Sequence, residues 1–318
     1  MIYSGHESIE YLASECGKED PGESSHWRKY HASFRYSGTG FEGLQGFGGC
    51  GKPHTGFRRV LHRLLQGRFR RLGSAFTEFP RLDRLGSEIT VRQRRAYDLD
   101  VLRQVLTLAF LKQTLPNSLS LKTTACVIGD GFASMAALLL AYPAAGRVIL
   151  VNLTKTLLVD LWYLRLWMGS DAFESQVDLV TDIAGVHRSL ASTTASGSGQ
   201  RVVAIQAMHH ALLKECPVDI AVNIASMQEM DPPVIAAYFD DLRAVAARRY
   251  LFFYCCNREE KALPDCTVTR FADYPWKQAD RLIVDGPCPW HQFYYALMPP
   301  FYRPYDGPIR HRLVELAP

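Results

Sequence analysis

The sequence lacks the features that mark membrane-spanning, secreted and disulfide-stabilised proteins. No apolar run reaches the roughly 18 residues that a membrane-spanning helix requires, and residues 1–12 lack the basic start and apolar core of a signal peptide. The 8 cysteines are scattered without any C-x-x-C spacing, and the one close pair is adjacent, Cys255 and Cys256. Neither a disulfide framework nor a zinc site is therefore predicted, and we expect a cytoplasmic protein with reduced thiols.

The charge of the chain is small in total but unevenly distributed. The net charge is +4, and contents of 21% charged and 47% hydrophobic residues are typical of a globular protein. Arginines crowd into residues 58–103 without the aromatic ladder or the motifs of a nucleic-acid-binding protein. This pattern favours solvated faces of amphipathic helices, although one arginine could bind an anionic substrate group. We expect a small-molecule substrate and no nucleic-acid or membrane partner, and homo-oligomerisation stays open.

The clearest structural pattern in the sequence is one βαβ unit. Residues 125–128 form a short apolar run typical of a buried strand, and the turn Gly129-Asp130-Gly131 follows it. An apolar helical run at 132–142 and a second buried strand at 147–151 complete the unit. Glycines let the backbone approach a ligand closely, and the helix N-terminus behind them presents free N–H groups. The unit predicts a small, nucleotide-like ligand at this turn.

The sequence before this unit has a different character. Residues 1–56 are rich in glycine, serine, histidine and aromatics without periodicity, which predicts irregular structure and a lid over the substrate. A basic amphipathic helix is predicted at 56–72 and a longer helix at 87–115. We therefore divide the chain into an N-terminal cap, residues 1–115, and an α/β domain, residues 116–318.

The α/β domain continues with alternating apolar helices and strands. Helices are predicted at 155–168 and 231–249, and residues 189–200 have the composition of a flexible loop. Further strands are predicted at 201–206, 218–224, 250–255, 281–285 and 308–317. The fold class is thus α/β, with a Rossmann-like sheet of seven strands.

Two cofactors suit the glycine turn. A dinucleotide-binding domain has G-x-G-x-x-G/A followed by an acid at the end of the second strand. Here Ser134 stands at the third small position and Asn152 ends the second strand, so the dinucleotide pattern is incomplete. The number of predicted strands, which includes a final amphipathic strand, resembles that of the seven-stranded class I S-adenosylmethionine-dependent methyltransferases.

Longer motifs make the resemblance more specific. V-I-G-D-G-F-A-S, V-N-L-T-K-T-L-L-V-D-L, N-I-A-S-M-Q-E-M-D-P-P-V-I, F-Y-C-C-N-R-E-E-K-x-L-P-D and C-P-W-H-Q-x-Y-Y occur between residues 125 and 295. Together they resemble the sugar O-methyltransferases of antibiotic and glycan gene clusters. The likeness extends over about residues 85–316, and more loosely to F-E-G-L-Q-G-F-G-G at 41–49.

The resemblance implies S-adenosylmethionine as the cofactor and a set of residues around it. The glycine turn would hold the methionine and ribose parts, and the ends of the next two strands would meet the ribose and the adenine. The implied cofactor-binding residues are Gly129, Asp130, Gly131, Phe132, Asn152, Leu153, Gln206, Ala207, Met208 and Ser226.

Acceptor and catalytic residues are predicted at the ends of the later strands. Methyl transfer to an alcohol needs a base for the hydroxyl proton, and His291 or Glu229 is our candidate. His209-His210 is a rival pair, of which at most one side chain can face the site. The substrate would contact Gln228, Trp290, Gln292 and Tyr294. Asp130, Glu229, Asp231 and Asp285 do not have a spacing that singles out a metal site, so none is predicted.

The expected function is O-methylation of a sugar or glycosylated natural product by direct displacement at the sulfonium methyl. Two other enzymatic functions remain open: N-methylation of an amino sugar or peptide, and NAD(P)-dependent oxidoreduction. A non-catalytic module that binds polyanions through the arginine-rich helices is a further alternative.

Overall fold

A computed structural model describes residues 1–46, 51–192 and 199–318. Its strands, in chain order, are β1 Ile2–Ser4, β2 Arg35–Tyr36, β3 Phe41–Glu42, β4 Ser120–Ile128, β5 Ala145–Asn152, β6 Val177–Val180, β7 Arg201–Gln206, β8 Ile220–Ile224, β9 Phe252–Arg258, β10 Glu260–Ala262, β11 Val268–Arg270, β12 Arg281–Pro287, β13 Phe293–Tyr295, β14 Tyr302–Pro304 and β15 Ile309–Glu315. No helix in these ranges is both long enough and apolar enough to cross a membrane.

Helices precede and separate most of these strands. The α-helices are α1 His6–Glu15, α2 Ser25–His31, α3 Gly56–Leu65, α4 Gly67–Gly73, α5 Phe79–Arg92, α6 Leu99–Thr114, α7 Ser134–Ala141, α8 Thr154–Met168, α9 Ser170–Gln176, α10 Ile183–Ala191 and α11 Pro232–Ala246. Short 3-10 helices lie at Ala207–Glu215, Met227–Glu229 and Phe271–Asp273.

Nine strands form one sheet, in the order β1-β6-β7-β5-β4-β8-β9-β15-β12. The six neighbouring strands β6, β7, β5, β4, β8 and β9 run parallel. Strand β15 is antiparallel to both of its neighbours, and β1 is antiparallel to β6. The chain passes from β4 to β5 on one side and later to β8 on the other, so a crevice opens at the carboxyl end of β4. This is the Rossmann-like α/β fold that the sequence predicts, with two strands, β1 and β6, beyond the predicted seven.

The two faces of the sheet are covered by different helices. Ala125 and Val127 of β4 belong to the cluster that α5 to α8 cover, whereas Cys126 and Ile128 belong to the cluster under α10 and α11. Successive side chains of a strand point to opposite faces, which is why one apolar run supplies both clusters. Each large aliphatic side chain buried there contributes about 1.5–3 kcal/mol of transfer free energy.

The predicted helix at 87–115 is two helices in the structure. Arg94 has a φ of 55°, a conformation that an α-helix cannot contain. Asp98 then caps α6, since its carboxylate accepts hydrogen bonds from the backbone N–H groups of Asp100 and Val101. The basic helix predicted at 56–72 is likewise divided into α3 and α4.

The N-terminal 46 residues are more regular than predicted. β1 pairs with β6 at the edge of the main sheet, and α1 packs on α8. α2 lies over the carboxyl edge of the sheet, where the Ser24 hydroxyl donates a hydrogen bond to the backbone oxygen of Glu229. Residues 47–50, part of the N-terminal motif, and residues 193–198, part of the predicted loop, lie outside the described residues.

Candidate active site

A cavity of about 200 Å³ lies at the carboxyl ends of β4, β5 and β8. The glycine turn, the ends of β5 and β8, α6, α2 and the segments flanking the β13–β14 hairpin contribute its walls. Ten of the predicted site residues line it: Gly129, Asp130, Gly131, Asn152, Leu153, Ala207, Ser226, Gln228, Glu229 and His291. The position is the one where open α/β sheets bind ligands, because the strand order reverses there.

The glycine turn exposes its backbone to this cavity. Gly129 and Gly131 have φ values of 73° and 82°, which favour glycine over any residue with a Cβ. A Cβ at Gly129 would also overlap the Ser226 hydroxyl, whereas a Cβ at Gly131 would meet nothing within 4 Å. The turn therefore needs glycine at the first position for two reasons, and at the second for one.

Asp130 holds the turn against α7 with its side chain. Its carboxylate oxygens accept hydrogen bonds from the backbone N–H groups of Met135 and Ala136, at 3.0 and 2.8 Å. Asp160, also buried, accepts from the N–H of Ala133 at 2.9 Å. Burial raises the pKa of both carboxyl groups, and the charge of Asp130 raises that of Asp160 further. This pair fixes the backbone that a ligand meets.

Asn152 is oriented by the carboxylate of Asp160. Its amide donates to Asp160 Oδ2 at 2.8 Å, and its own oxygen accepts from the N–H of Leu153 at 3.0 Å. The side chain thus has a fixed rotamer at the cavity wall. Leu153 and Ala207 add apolar surface beside it, which suits a flat aromatic ligand group.

Three predicted cofactor residues do not line the cavity. Phe132 is buried and packs edge-to-face on Tyr163. Gln206 is also buried, and its amide donates to the Thr154 hydroxyl at 2.9 Å. Met208 points outward and is 45% exposed. The alternation of side chains at the end of β7 and the turn after it explains why only Ala207, between the last two, reaches the cavity.

Glu229 lies on the cavity wall within an ion-pair cluster. Its Oε1 accepts from Lys261 Nζ at 2.7 Å and lies 3.4 Å from His26 Nε2 of α2. Burial alone would raise the pKa of Glu229, but hydrogen bonding to His26 and the charge of Lys261 outweigh it, and the pKa is lowered. A carboxylate with a lowered pKa is a weak proton acceptor, so Glu229 suits binding better than base catalysis.

Gln228 connects the ends of two strands next to Glu229. Its backbone N–H donates to the side chain of Asn257 at 3.0 Å, and its side-chain oxygen accepts from the N–H of Arg258 at 2.8 Å. Ser226 Oγ accepts from the Asn223 amide at 3.0 Å. These bonds hold the end of β8 against β9 and β4.

His291 lines the cavity, and its imidazole also lies beside the buried thiols of Cys256 and Cys288. The residue is 4% exposed, and its Nε2 makes no hydrogen bond within the described ranges. Arg103 of α6 holds the backbone around it, donating to the oxygens of Trp290 at 3.1 Å and Phe293 at 2.8 Å. A buried polar atom without a partner is costly unless a ligand satisfies it. His291 is therefore placed to contact a polar group in the cavity.

The other three predicted substrate residues lie away from the cavity. Trp290 is buried against α6, where its indole N–H donates to the Thr107 hydroxyl at 3.1 Å. The Gln292 amide donates to the backbone oxygens of Cys288 and Ile309. Tyr294 is on the outer surface. The side chains of Trp290 and Gln292 thus hold the segment that carries His291.

Several cavity residues were not predicted from the sequence. They come from elements distant in the chain: Trp27, Asp100, Arg103, Gln104, Tyr238 and Tyr305. Gln104 Oε1 is buried and, like His291 Nε2, has no hydrogen-bond partner in the described part of the chain. Asp100, Arg103 and Gln104 have the i, i+3, i+4 spacing of one helix face within an otherwise apolar helix. That polar face was a signal in the sequence for a site on α6.

One cluster could hold a metal ion. The ligand atoms of Cys256, Cys288 and His291 lie within 4.8 Å of one another, and no other such group occurs among residues 1–46, 51–192 and 199–318. Two thiolates and an imidazole form a donor set that zinc accepts. The acidic residues considered from the sequence are dispersed, and Asp285 forms ion pairs with Arg310 and Arg312. The rival His210 is bonded to Asp241.

Comparison with known proteins places methyltransferases among the similar folds. The chain is similar to the methyltransferase domain of bacterial CtHen1-CN (12% identity, 67% of this chain, 97% of that chain, TM-score 0.35). It is also similar to the mitomycin 7-O-methyltransferase MmcR (15%, 68% and 57%, 0.33) and to the glycopeptide N-methyltransferase MtfA complexed with S-adenosylmethionine (11%, 66% and 71%, 0.27). No family profile and no curated protein sequence matches the chain. Likeness at this level assigns no activity.

Proposed function

We propose that this protein is an S-adenosylmethionine-dependent methyltransferase that O-methylates a hydroxyl of a sugar or glycosylated natural product. The observation that carries the proposal is the composition of the cavity of about 200 Å³ at the sheet switch point. It joins a glycine turn with an open backbone to an unpartnered imidazole nitrogen, that of His291. A nucleotide-like cofactor and a proton-bearing acceptor can meet there.

The cofactor occupies the side of the cavity formed by β4, β5 and β7. The backbone of Gly129 to Gly131 meets its methionine and ribose parts, and Asn152 contacts the ribose edge. Leu153 and Ala207 pack on the adenine. Ser226 and Glu229 lie beside the sulfonium end, where the fixed negative charge of Glu229 attracts the positive sulfur. The sulfonium supplies the methyl group.

The acceptor occupies the side formed by α6, α2 and the segment at His291. S-adenosylmethionine, when bound, would supply the methyl group to the acceptor oxygen with cleavage of its carbon–sulfur bond, and His291 Nε2 would accept the hydroxyl proton. The products are the methyl ether, S-adenosylhomocysteine and a protonated imidazole that later releases its proton to water. Alignment and exclusion of water supply most of the rate enhancement.

Polar and aromatic side chains on this side suit a sugar. Gln104 and Asp100 present a free amide oxygen and a carboxylate to hydroxyl groups, and Trp27 and Tyr305 present aromatic surface. Sugars combine apolar C–H faces with hydroxyl edges, so both kinds of surface are used. An amino sugar would meet the same surfaces, and the acceptor screen therefore includes both.

Calorimetric titration with S-adenosylhomocysteine tests the cofactor. We expect 1:1 binding in the micromolar range that Ala207→Leu weakens at least tenfold, because the larger side chain fills the adenine side of the cavity. Met208→Leu is the matched control, since this neighbouring side chain points to solvent. Binding of NADP in place of S-adenosylhomocysteine would replace the proposal with an oxidoreductase.

Turnover of the His291→Gln variant tests the base. We expect the variant to bind S-adenosylhomocysteine as wild type does and to lose about 10²–10⁴-fold in kcat, the usual contribution of a general base. Hydroxylated and amino sugars are offered as acceptors in parallel, with the methylated atom identified by NMR. Full activity of His291→Gln would remove the imidazole from the mechanism.

A further inference from the structure

Helix α3 exposes three of its apolar side chains to solvent, whereas Leu65 at its end is buried. Phe57, Val60 and Leu64 have the i, i+3, i+7 spacing of a single helix face. Phe57 is 81% exposed and Leu64 69%. In a helix that packs on a core, this is the face that would be buried. The apolar face of α3 is therefore only partly covered, on the side of Leu61 and Leu65.

The hairpin of β13 and β14 adds apolar side chains beside this helix. The Tyr295 hydroxyl lies 2.9 Å from His62 Nδ1 of α3, and the Tyr302 hydroxyl donates to the backbone oxygen of Leu65 at 2.8 Å. The tip of the hairpin leaves Leu297, Met298 and Phe301 exposed. We call α3 and this hairpin tip, residues 56–65 and 296–301, the helix–hairpin surface.

The segments that form and flank the helix–hairpin surface carry charge of one sign, although Asp83 of α5 pairs with Arg70. The sequence has no aspartate or glutamate from residue 43 to residue 77, or from residue 293 to residue 305. The same stretches contain only positive side chains: Lys52, Arg58, Arg59, Arg63, Arg68, Arg70, Arg71 and Arg303. Arg58, Arg59 and Arg63 are exposed, and no described carboxylate lies within 4.0 Å of their guanidinium groups.

We propose that the helix–hairpin surface docks on an anionic membrane surface. Phe57, Val60 and Leu64 with the hairpin tip would enter the boundary between headgroups and acyl chains, and the arginines would contact lipid phosphates. A basic helix with bulky apolar residues on one face is the pattern of an interfacial membrane helix. The sequence alone predicted a solvated arginine face and no membrane partner, because it did not reveal which face of α3 is exposed.

Charge complementarity selects this occupant over a second copy of the chain. Two helix–hairpin surfaces packed against each other about a twofold axis would bring their arginines together without any nearby carboxylate to neutralise them. Anionic lipids supply the missing negative charge, at about 1 kcal/mol for each arginine near the surface.

The same surface is connected to the cavity. The hairpin leaves the cavity wall after His291 and returns to it at Tyr305, and both residues line the cavity. A membrane under the hairpin tip would thus lie near the acceptor side of the site. This step rests on the proposed function and indicates an acceptor hydroxyl that is carried on a lipid.

Vesicle sedimentation with the full-length chain tests the proposal. The probes are vesicles of phosphatidylcholine alone and of phosphatidylcholine with phosphatidylglycerol, at low and high salt. We expect binding only to the anionic vesicles, weakened by salt. Arg58→Glu with Arg59→Glu should reduce the partition coefficient at least about 30-fold, the equivalent of about 1 kcal/mol for each arginine. Phe57→Ser with Met298→Ser should reduce it to a similar extent.

The controls carry the same changes elsewhere on the exposed surface. Arg188→Glu with Arg248→Glu alters the net charge equally, and Leu282→Ser removes an exposed apolar side chain from β12. Binding that the control and test variants reduce equally would overturn the proposal, as would no binding to anionic vesicles. A dimer in sedimentation velocity that Phe57→Ser abolishes would assign the surface to a second copy instead. Titration with S-adenosylhomocysteine on the same samples separates a failure of the proposed function from a failure of the surface.

Discussion

The two glycines of the ligand-binding turn provide a quantitative test of the site geometry. Gly131→Ala places a Cβ in open space at a φ of 82°, so its cost is the strain of a left-handed alanine, about 1–2 kcal/mol. Gly129→Ala has the same strain and adds an overlap with the Ser226 hydroxyl. Overpacking of that kind costs about 1–3 kcal/mol, which predicts a total of about 2–5 kcal/mol.

A double-mutant cycle with Ser226→Gly isolates the overlap. Ser226→Gly removes the atoms that the new Cβ would meet, and it costs about 1 kcal/mol through the lost hydrogen bond from Asn223. We expect a coupling energy of about 1–3 kcal/mol between Gly129→Ala and Ser226→Gly, with the double variant more stable than the sum of the single changes predicts. The cycle with Gly131→Ala should give a coupling within about 0.5 kcal/mol of zero.

Urea unfolding of the ligand-free variants at 25 °C, followed by circular dichroism, measures these energies. Equal coupling in the two cycles would refute the packing of Ser226 on Gly129. So would equal destabilisation by the two alanine substitutions. Both variants should also bind S-adenosylhomocysteine more weakly, because both backbones face the cavity.

Four further predictions follow from the described contacts. Burial and the charge of Asp100 raise the pKa of Asp98 to about 6. Ionising Asp98 therefore lowers the free energy of unfolding as pH rises from about 4 to 6. The Asp98→Asn variant keeps the cap, and its free energy of unfolding in urea should gain about 1–3 kcal/mol relative to wild type over that range. Hydrogen bonds from Arg310 and Arg312 lower the pKa of Asp285 to about 2, so Asp285→Asn should lose about 1–2 kcal/mol at pH 7, and the difference should disappear between pH 4 and pH 2. Trp27→Ala, on the α2 wall of the cavity, should reduce kcat/KM for the acceptor about tenfold or more while the Kd for S-adenosylhomocysteine changes less than threefold; equal effects on both would assign Trp27 to the cofactor. Treatment with EDTA should leave turnover unchanged because an imidazole takes the proton; loss of activity restored by zinc would make His291 a metal ligand.

The fold was predictable from the sequence where local and global preferences agree. The β4–α7–β5 unit has apolar strands, a glycine turn and an apolar helix, and the structure places each within a few residues of the prediction. β6 was missed because its four residues carry no turn signal that separates them from α9. β1 was missed because it is a strand only through its pairing with β6, whose residues lie at least 174 positions further along the chain.

The lining of the cavity was predictable from the sequence at strand ends and not elsewhere. The backbone direction of parallel strands brings Gly129, Asn152 and Ser226 to one edge, so counting strands was sufficient for these residues. Which side chain at a strand end faces the cavity depends on the local turn. Gln206, Ala207 and Met208 were all predicted to bind the cofactor, and only Ala207 lines the cavity. Contributions from α2 and α6 depend on tertiary packing that no local pattern encodes, apart from the polar face of α6.

The pairing of β1 with β6 also sets an order of events during synthesis. Ile2 pairs with Val180, so β1 leaves the ribosome long before its partner β6 exists. Until the two strands pair, each presents an unpaired backbone edge of the kind that other chains can join. Contacts so distant in sequence form slowly, because closing a long loop costs entropy before the pairing is gained. The growing chain is therefore open to such joining from the synthesis of β6 until β1 and β7 have paired with it.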